Sequence, residues 1–434
     1  MRLAQSALSP LGITGSLLSV QGATIIARLP QGSVGDLCWI KTRDNREVRG
    51  QIISFQENNF SLALFDEPDG IFPGAKVRTC GSQLSIPVGK DLLGKVISPL
   101  GLPLDDSSTP IACCEMRAIH AAPPTALLRP TISEPLHTGI RSIDGFCTIG
   151  KGQRIGICAS AGIGKSTLLG MVARRADVDV IVVALVGERS REVREFIEDT
   201  LGLEGSARSV LVVATSNDPS LMRQTAPYTA TTIAEYFRDQ GLNVLLIVDS
   251  LTRLARAIRE TSIAAGDLPV RHGYTNSVYT QLPRLIERAG TSTRGSITGM
   301  YTVLTNTEDD IDPLADEVKS LLDGHIVLSK EIANLGVLPA IDVTQSISRL
   351  FERLANHERT SNARHLRRAL TRLIKERDIV LLGGTPDREL DAILKHRECL
   401  TTLLSQARDE QTSPTEVDSS LARVWSEIES AMGA

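Results

Sequence analysis

Ile155-Gly156-Ile157-Cys158-Ala159-Ser160-Ala161-Gly162-Ile163-Gly164-Lys165-Ser166-Thr167 carries an apolar run into a turn of small residues, then a lysine and two hydroxyls. Leu168, Leu169, Met171 and Val172 follow at helical spacing. A strand, a glycine-bearing turn and a helix in that order bring backbone N–H groups around anionic oxygens. The pattern G-x-x-x-x-G-K-[ST] is met except at its first letter, which is Ala159. Ala159, Ser160, Ala161, Gly162, Ile163, Gly164, Lys165, Ser166 and Thr167 are therefore the candidate nucleotide-binding set. Lys165 offers a point charge to the β- and γ-phosphates of a triphosphate, and Ser166 a hydroxyl to Mg2+. Alanine at the first position is tolerable while its φ stays negative, because that position serves the turn more than the phosphates. A plain small-residue turn between strand and helix is the competing reading.

Outward from this stretch, near-continuous apolar runs recur at residues 179–186, 209–214, 243–248, 296–304 and 326–329, with helical segments between them. Such runs are what strands buried on both faces look like. The expectation is an α/β core, residues 86–345, wound around a mostly parallel sheet. Residues 1–85 read instead as short strands at 16–20, 24–29, 37–41, 50–55 and 60–65, separated by Gly, Asn, Asp and Pro turns. That spacing suggests a small β-barrel with an oligomerisation role. Residues 346–434 read as a helical domain, with Gln411 to Ser420 as a polar loop before a last helix at 421–432.

Bulk composition narrows the function. The 434 residues are 42% hydrophobic and 23% charged, ordinary for a globular chain of two or three domains. A net charge of −4 and only 3% aromatics argue against a nucleic-acid partner. Seven scattered cysteines without a C-x-x-C pair read as reduced thiols of a cytoplasmic protein. The histidines lack metal-ligand spacing, no apolar run is long enough to span a bilayer, and the first residues lack a signal-peptide core.

Two strand ends carry carboxylates. Val244-Leu245-Leu246-Ile247-Val248-Asp249 places Asp249 to organise Mg2+, although an Asp there also makes a common helix N-cap. Gly187-Glu188-Arg189 follows the run ending at Val186. Glu188 is positioned to accept the proton of an attacking water and Arg189 to neutralise charge on the leaving phosphate. An ordinary charged helix start fits the same letters. Arg253 and Arg256, after Asp249-Ser250-Leu251-Thr252, read as solvated basic residues of a helix start.

These segments, with Leu282-Pro283-Arg284-Leu285-Ile286-Glu287-Arg288-Ala289-Gly290, resemble the rotary ATPase superfamily. Asp312-Pro313-Leu314-Ala315-Asp316-Glu317-Val318, Leu322-Asp323-Gly324-His325-Ile326-Val327-Leu328-Ser329 and Pro339-Ala340-Ile341-Asp342-Val343 look like its type III protein export ATPases, flagellar and injectisome alike. The resemblance implies a β-barrel, a RecA-like core and a C-terminal helical domain in a homohexamer, with ATP between subunits. It puts Lys165 on the phosphate loop, Glu188 on the catalytic base, Arg189 on the phosphate-sensing position and Asp249 on the Mg2+-organising carboxylate. Arg349, in Ser346-Ile347-Ser348-Arg349, matches the arginine that reaches a neighbouring subunit's site in trans. Without the family, Arg349 is a helix-start arginine in a surface ion pair. The implied partners are a stator-like regulator, a central stalk protein, secretion chaperones with their export substrates, and a membrane export gate. The implied location is cytoplasmic, held peripherally at the inner membrane through those partners.

The chain departs from the family pattern in several places. Residues 273–279 have Thr275 and Asn276 where prolines are usual, in a loop expected near the central channel. Leu382-Gly383-Gly384-Thr385-Pro386-Asp387 is short, with Thr385 in place of the aromatic expected at the adenine. An amphipathic N-terminal docking helix is not evident. Other readings are the catalytic subunit of a rotary ATP synthase or proton pump, a hexameric RNA translocase, which charge and aromatic content disfavour, and a slow nucleotide-binding docking scaffold. A scaffold has no need of the base or the trans arginine.

Overall fold

The computed structural model describes residues 12–21, 24–104, 111, 115–305, 313–381 and 385–433. The first eleven residues, Cys113, Cys114, Asp312 and the glycines at 383 and 384 lie outside them. Near the N-terminus, β1 (Ile13–Gln21), β2 (Thr24–Arg28), β3 (Asp36–Lys41), β4 (Glu47–Gln56), β5 (Asn59–Leu64) and β6 (Lys76–Gln83) close into a barrel of order β1-β2-β5-β4-β3-β6. Burial alternates residue by residue along β3, as side chains on a half-buried strand must. Leu17, Ile25, Ile40, Ile52, Leu62 and Val77 fill the interior. β6 is absent from the strands expected from the sequence. Its stretch, Lys76-Val77-Arg78-Thr79-Cys80-Gly81-Ser82-Gln83, buries only Val77 and Thr79, too weak a pattern to read. Its pairing with both β1 and β3 is what closes the barrel.

The central part of the chain is built on a nine-stranded sheet. Its main strands are β7 (Val96–Ile97), β8 (Arg154–Ala159), β9 (Val180–Glu188), β10 (Ser209–Thr215), β11 (Asn243–Asp249), β12 (Ser296–Leu304), β13 (Gly324–Val327) and β14 (Ile347–Ser348). They run in the order β14-β13-β8-β12-β11-β9-β10-β7. Pairing is parallel except for β14 with β13 and for the short arm Gly290–Thr291 with β12. The border at 345 expected from the sequence falls just before β14.

The strands are apolar throughout because each face is covered. Ile181, Val183 and Leu185 of β9 point into one apolar cluster, and Val180, Val182, Ala184 and Val186 into the other. The first cluster includes Leu168, Leu169 and Val172 of α1 (Lys165–Arg175) and continues into Leu366, Leu370, Val417 and Leu421. The C-terminal helices α4 (His357–Leu381) and α5 (Pro414–Gly433) therefore share the core of the phosphate-loop face. The second cluster holds α2 (Ser220–Asp239) and α3 (Leu251–Ala264), and Ala63 and Phe65 from the end of the barrel join it.

The last helix starts earlier than the polar composition of residues 411–420 suggests, at Pro414 rather than Leu421. Ser413 and Glu416 form a capping box. The Ser413 hydroxyl accepts from the Glu416 N–H at 3.3 Å, and the Glu416 carboxylate accepts from the Ser413 N–H at 2.7 Å. Proline at the first helical position loses nothing, since its missing N–H has no partner there.

Candidate active site

β8 ends at Ala159, which is buried and needs no left-handed backbone, so alanine in place of the usual glycine is accommodated. The turn relies on Gly162 (φ 80°) and Gly164 (φ 93°), and a Cβ added at either would meet nothing within 4 Å. That space lies directly over the N-terminus of α1, where first-turn N–H groups have no helical partner. Ile163 is buried and anchors the turn, while Ser166 and Thr167 are exposed at the helix start. The Ser160 hydroxyl is buried without a hydrogen-bond partner among the described residues.

Lys165 bends back from this turn between two strand ends. Its ammonium bonds Asp249 Oδ1 and lies 3.7 Å from Glu188 Oε1. Asp249 closes β11 and is 2% exposed, and Glu188 closes β9 at 8%. The β9–β10 register slips between Val186 and Glu188, across Gly187 at φ 64°. A bulge of this kind re-aims the following side chain, and here Glu188 turns toward Lys165. Three nearly buried charges are tolerable only because they pair.

Arg253 completes the grouping. Ser250 caps α3, its hydroxyl accepting from the Arg253 N–H at 3.3 Å. The Arg253 guanidinium is held beside β9, bonded to Glu188 Oε1 and reaching the Val186 carbonyl at 3.4 Å. Arg253 is thus not the solvated residue expected from the sequence. Burial pushes the Glu188 carboxyl above its usual range, a hydrogen bond with Glu192 adds to this, and Arg253 and Lys165 oppose it. Glu192 is lowered, chiefly by that same bond. On the other side of Asp249, the Thr302 hydroxyl donates to its Oδ1 at 2.7 Å.

Two of the expected residues stand apart. Arg189 is exposed and faces Glu192 at 3.7 Å, outside the grouping around Lys165. Arg349 is exposed at the end of β14, its N–H donating to the Asp323 carbonyl at 3.0 Å. Asp323 in turn donates to the carbonyl of Arg154, where β8 begins. Arg349 therefore sits at the opposite end of the sheet from Lys165. Six residues of β8 intervene, or about 20 Å at ~3.3 Å per residue. It forms no ion pair among the described residues, unlike the surface pair its position alone suggested.

Comparison with known proteins matches this architecture. The nucleotide-binding domain of the ATP synthase alpha/beta family matches residues 139–348, and that family's beta-barrel domain matches 17–81. The flagellum-specific ATP synthase of Bacillus subtilis is 43% identical, over 95% of this chain and 94% of that protein. The type 3 secretion system ATPase of Xanthomonas euvesicatoria is 44% identical, over 92% and 89%. The chain belongs to the type III export ATPases of the ATP synthase alpha/beta family. Among solved structures, the assembled ATPase EscN of the enteropathogenic E. coli type III secretion system superposes with a TM-score of 0.88 at 40% identity. That match covers 95% of this export ATPase and 100% of EscN. EscN in complex with its central stalk EscO gives 0.87 at 39% identity.

Little of the grouping was accessible from spacing, because Glu188 and Asp249 end strands while Glu192 and Arg253 lie in the first turns of the helices that follow. Thr302 left no local signal, because only the β11–β12 register brings it to Asp249.

Proposed function

We propose that this export ATPase works as a homohexamer that hydrolyses ATP to ADP and phosphate at sites shared by neighbouring subunits. The observation that carries this reading is Lys165, held between Asp249 and Glu188 at the mouth of the glycine turn. A triphosphate entering the turn takes the free N–H groups of residues 162–167 and draws Lys165 off the two carboxylates. Glu188, released from the lysine and kept ionised by Arg253, accepts a proton as water oxygen bonds to the γ-phosphorus and the bond to ADP breaks. Arg349 of the next subunit stabilises charge spread over the phosphoryl oxygens. Its separation from its own chain's Lys165 supports a role in trans. Arg189 has a lesser part, balancing charge on the departing phosphate.

Mg2+ fits the donor set. Ser166 offers an exposed hydroxyl and Asp249 an oxygen with no hydrogen bond among the described residues, both hard donors. When bound, Mg2+ neutralises phosphate charge beside these two residues. No cluster of three or more acidic, His or Cys ligands occurs among the described residues, in keeping with a cation carried in on the nucleotide.

The energy released frees export substrates from their chaperones and unfolds them at the export gate. A stator-like regulator and a central stalk protein complete the assembly. The hairpin of Pro269–Arg271 with Tyr274–Thr275 exposes Val270 (64%), next to Leu268 (78%), and such apolar side chains suit a stalk in the channel. No helix among the described residues is long and apolar enough to cross a membrane. In this reading partners hold the ATPase at the inner membrane. The test is Glu188→Gln in the purified ATPase. Nucleotide binding is retained while turnover falls about 10²–10⁴-fold, and turnover at the parent rate would remove Glu188 as the base.

A further inference from the structure

We propose that Thr302 is a positioning residue for the Mg2+–nucleotide complex, pinning Asp249 so that one carboxylate oxygen stays available to the hydrated cation. The inference rests on the reading of Asp249 as the Mg2+-organising carboxylate. Thr302 is fully buried on β12, one residue past Tyr301, which pairs with Val248 on β11. That register sets Thr302 beside Asp249, and its Oγ1 donates to Asp249 Oδ1 at 2.7 Å. The Val248 carbonyl is 3.4 Å from the same hydroxyl. A hydroxyl has one hydrogen, and the shorter contact to a charged acceptor takes it.

Lys165 bonds the same Oδ1. Both donors to Asp249 therefore end on one oxygen, and Oδ2 has no hydrogen bond among the described residues. Once a nucleotide draws Lys165 away, Thr302 remains as the side chain holding Oδ1. A carboxylate anchored through one oxygen presents the other in a fixed direction, as an outer-shell partner of a cation site does. The β-branched side chain stiffens this arrangement, because χ1 is restricted. A merely structural threonine would support the fold equally with and without metal. A positioning threonine matters only when the cation is present.

Binding of a fluorescent ATP analogue to the purified full-length protein, in MgCl2 and in EDTA, separates the two roles. Thr302→Val is expected to weaken binding in MgCl2 by about 10–100-fold and to leave binding in EDTA within about twofold. Thr302→Ser should recover most of the loss. Equal weakening in both buffers, or no weakening in either, overturns the proposal. Asp249→Asn tells its failure from that of the underlying reading. If Asp249→Asn abolishes the Mg2+ increment and Thr302→Val does not, only the positioning role falls. If Asp249→Asn also leaves the increment intact, the metal assignment of Asp249 falls and the role of Thr302 with it. Should Thr302→Val melt below the assay temperature, Thr302→Cys takes its place under the same criteria.

Discussion

The two ends of one sheet are built to different standards of completeness. At the end where β8, β9 and β11 finish, Lys165, Glu188, Asp249 and Arg253 satisfy one another within a single chain. At the other, Arg349 projects from the edge strand β14 with no ion pair among the described residues, beside Ile347 at 51% exposure. Buried charges must be paired or neutralised, whereas an exposed guanidinium costs little in water. One end can therefore fold ready for ligand, while the other, on the proposed trans role of Arg349, would act only against a second copy. Chemistry divided in that way would couple turnover to assembly.

The largest break comes from the complete end. Lys165→Ala removes the only cation of the phosphate turn and should reduce turnover to background, with nucleotide binding lost in an equilibrium titration. It should also lower the melting temperature, because Asp249 and Glu188 are nearly buried and lose a paired cation, although Thr302 and Arg253 still hold them. Arg349→Ala attacks the other end. A loss of about 10³-fold or more in kcat is expected, with the melting temperature unchanged because the side chain is exposed. Mixing sharpens the contrast further. Arg349→Ala and Glu188→Gln subunits, each inactive alone, should regain part of the activity when co-assembled. Some shared sites then pair an intact Glu188 with an intact Arg349. A mixture as inactive as its components would contradict the division between subunits.

A smaller effect concerns proton affinity. Glu188 is held above the ordinary carboxylate range by burial and by Glu192, with Arg253 and Lys165 opposing. In its proposed role as base Glu188 works ionised, so kcat should fall as pH drops through a limb lying above the ordinary value of about 4.3. Arg253→Ala removes a cation that favours the ionised form and should move that limb to higher pH. A limb that stays put, or moves down, would remove Arg253 from control of the base. Smallest of all is Ser413→Ala. It should cost about 1 kcal/mol of stability through the lost cap of α5, read by thermal melting, with kcat unchanged.

Legibility in the sequence followed the range of each interaction. The phosphate turn is a local object, since strand, glycines, lysine and helix start lie within thirteen consecutive residues. The buried strands announced themselves because covering both faces demands unbroken apolar runs, as at β9 and β11. β6 stayed hidden because its inward residues are Val77 and Thr79 among Lys, Arg, Ser and Gln. The start of α5 was missed because a capping box looks as polar as a loop. Glu188 and Asp249 could be nominated from strand ends, but the same letters serve as ordinary caps and helix starts.

By itself, then, the amino-acid order determined the three-part architecture, the phosphate turn and the candidate acids and bases, because each depends on neighbours along the chain. Tertiary structure decided which charges meet. The bulge at Gly187 aims Glu188, the cap at Ser250 aims Arg253 back at it, and the β11–β12 register delivers Thr302 to Asp249. It also carried Arg349 to the far end of the sheet. Separation in space between strands is set by pairing order, which no local pattern of residues encodes.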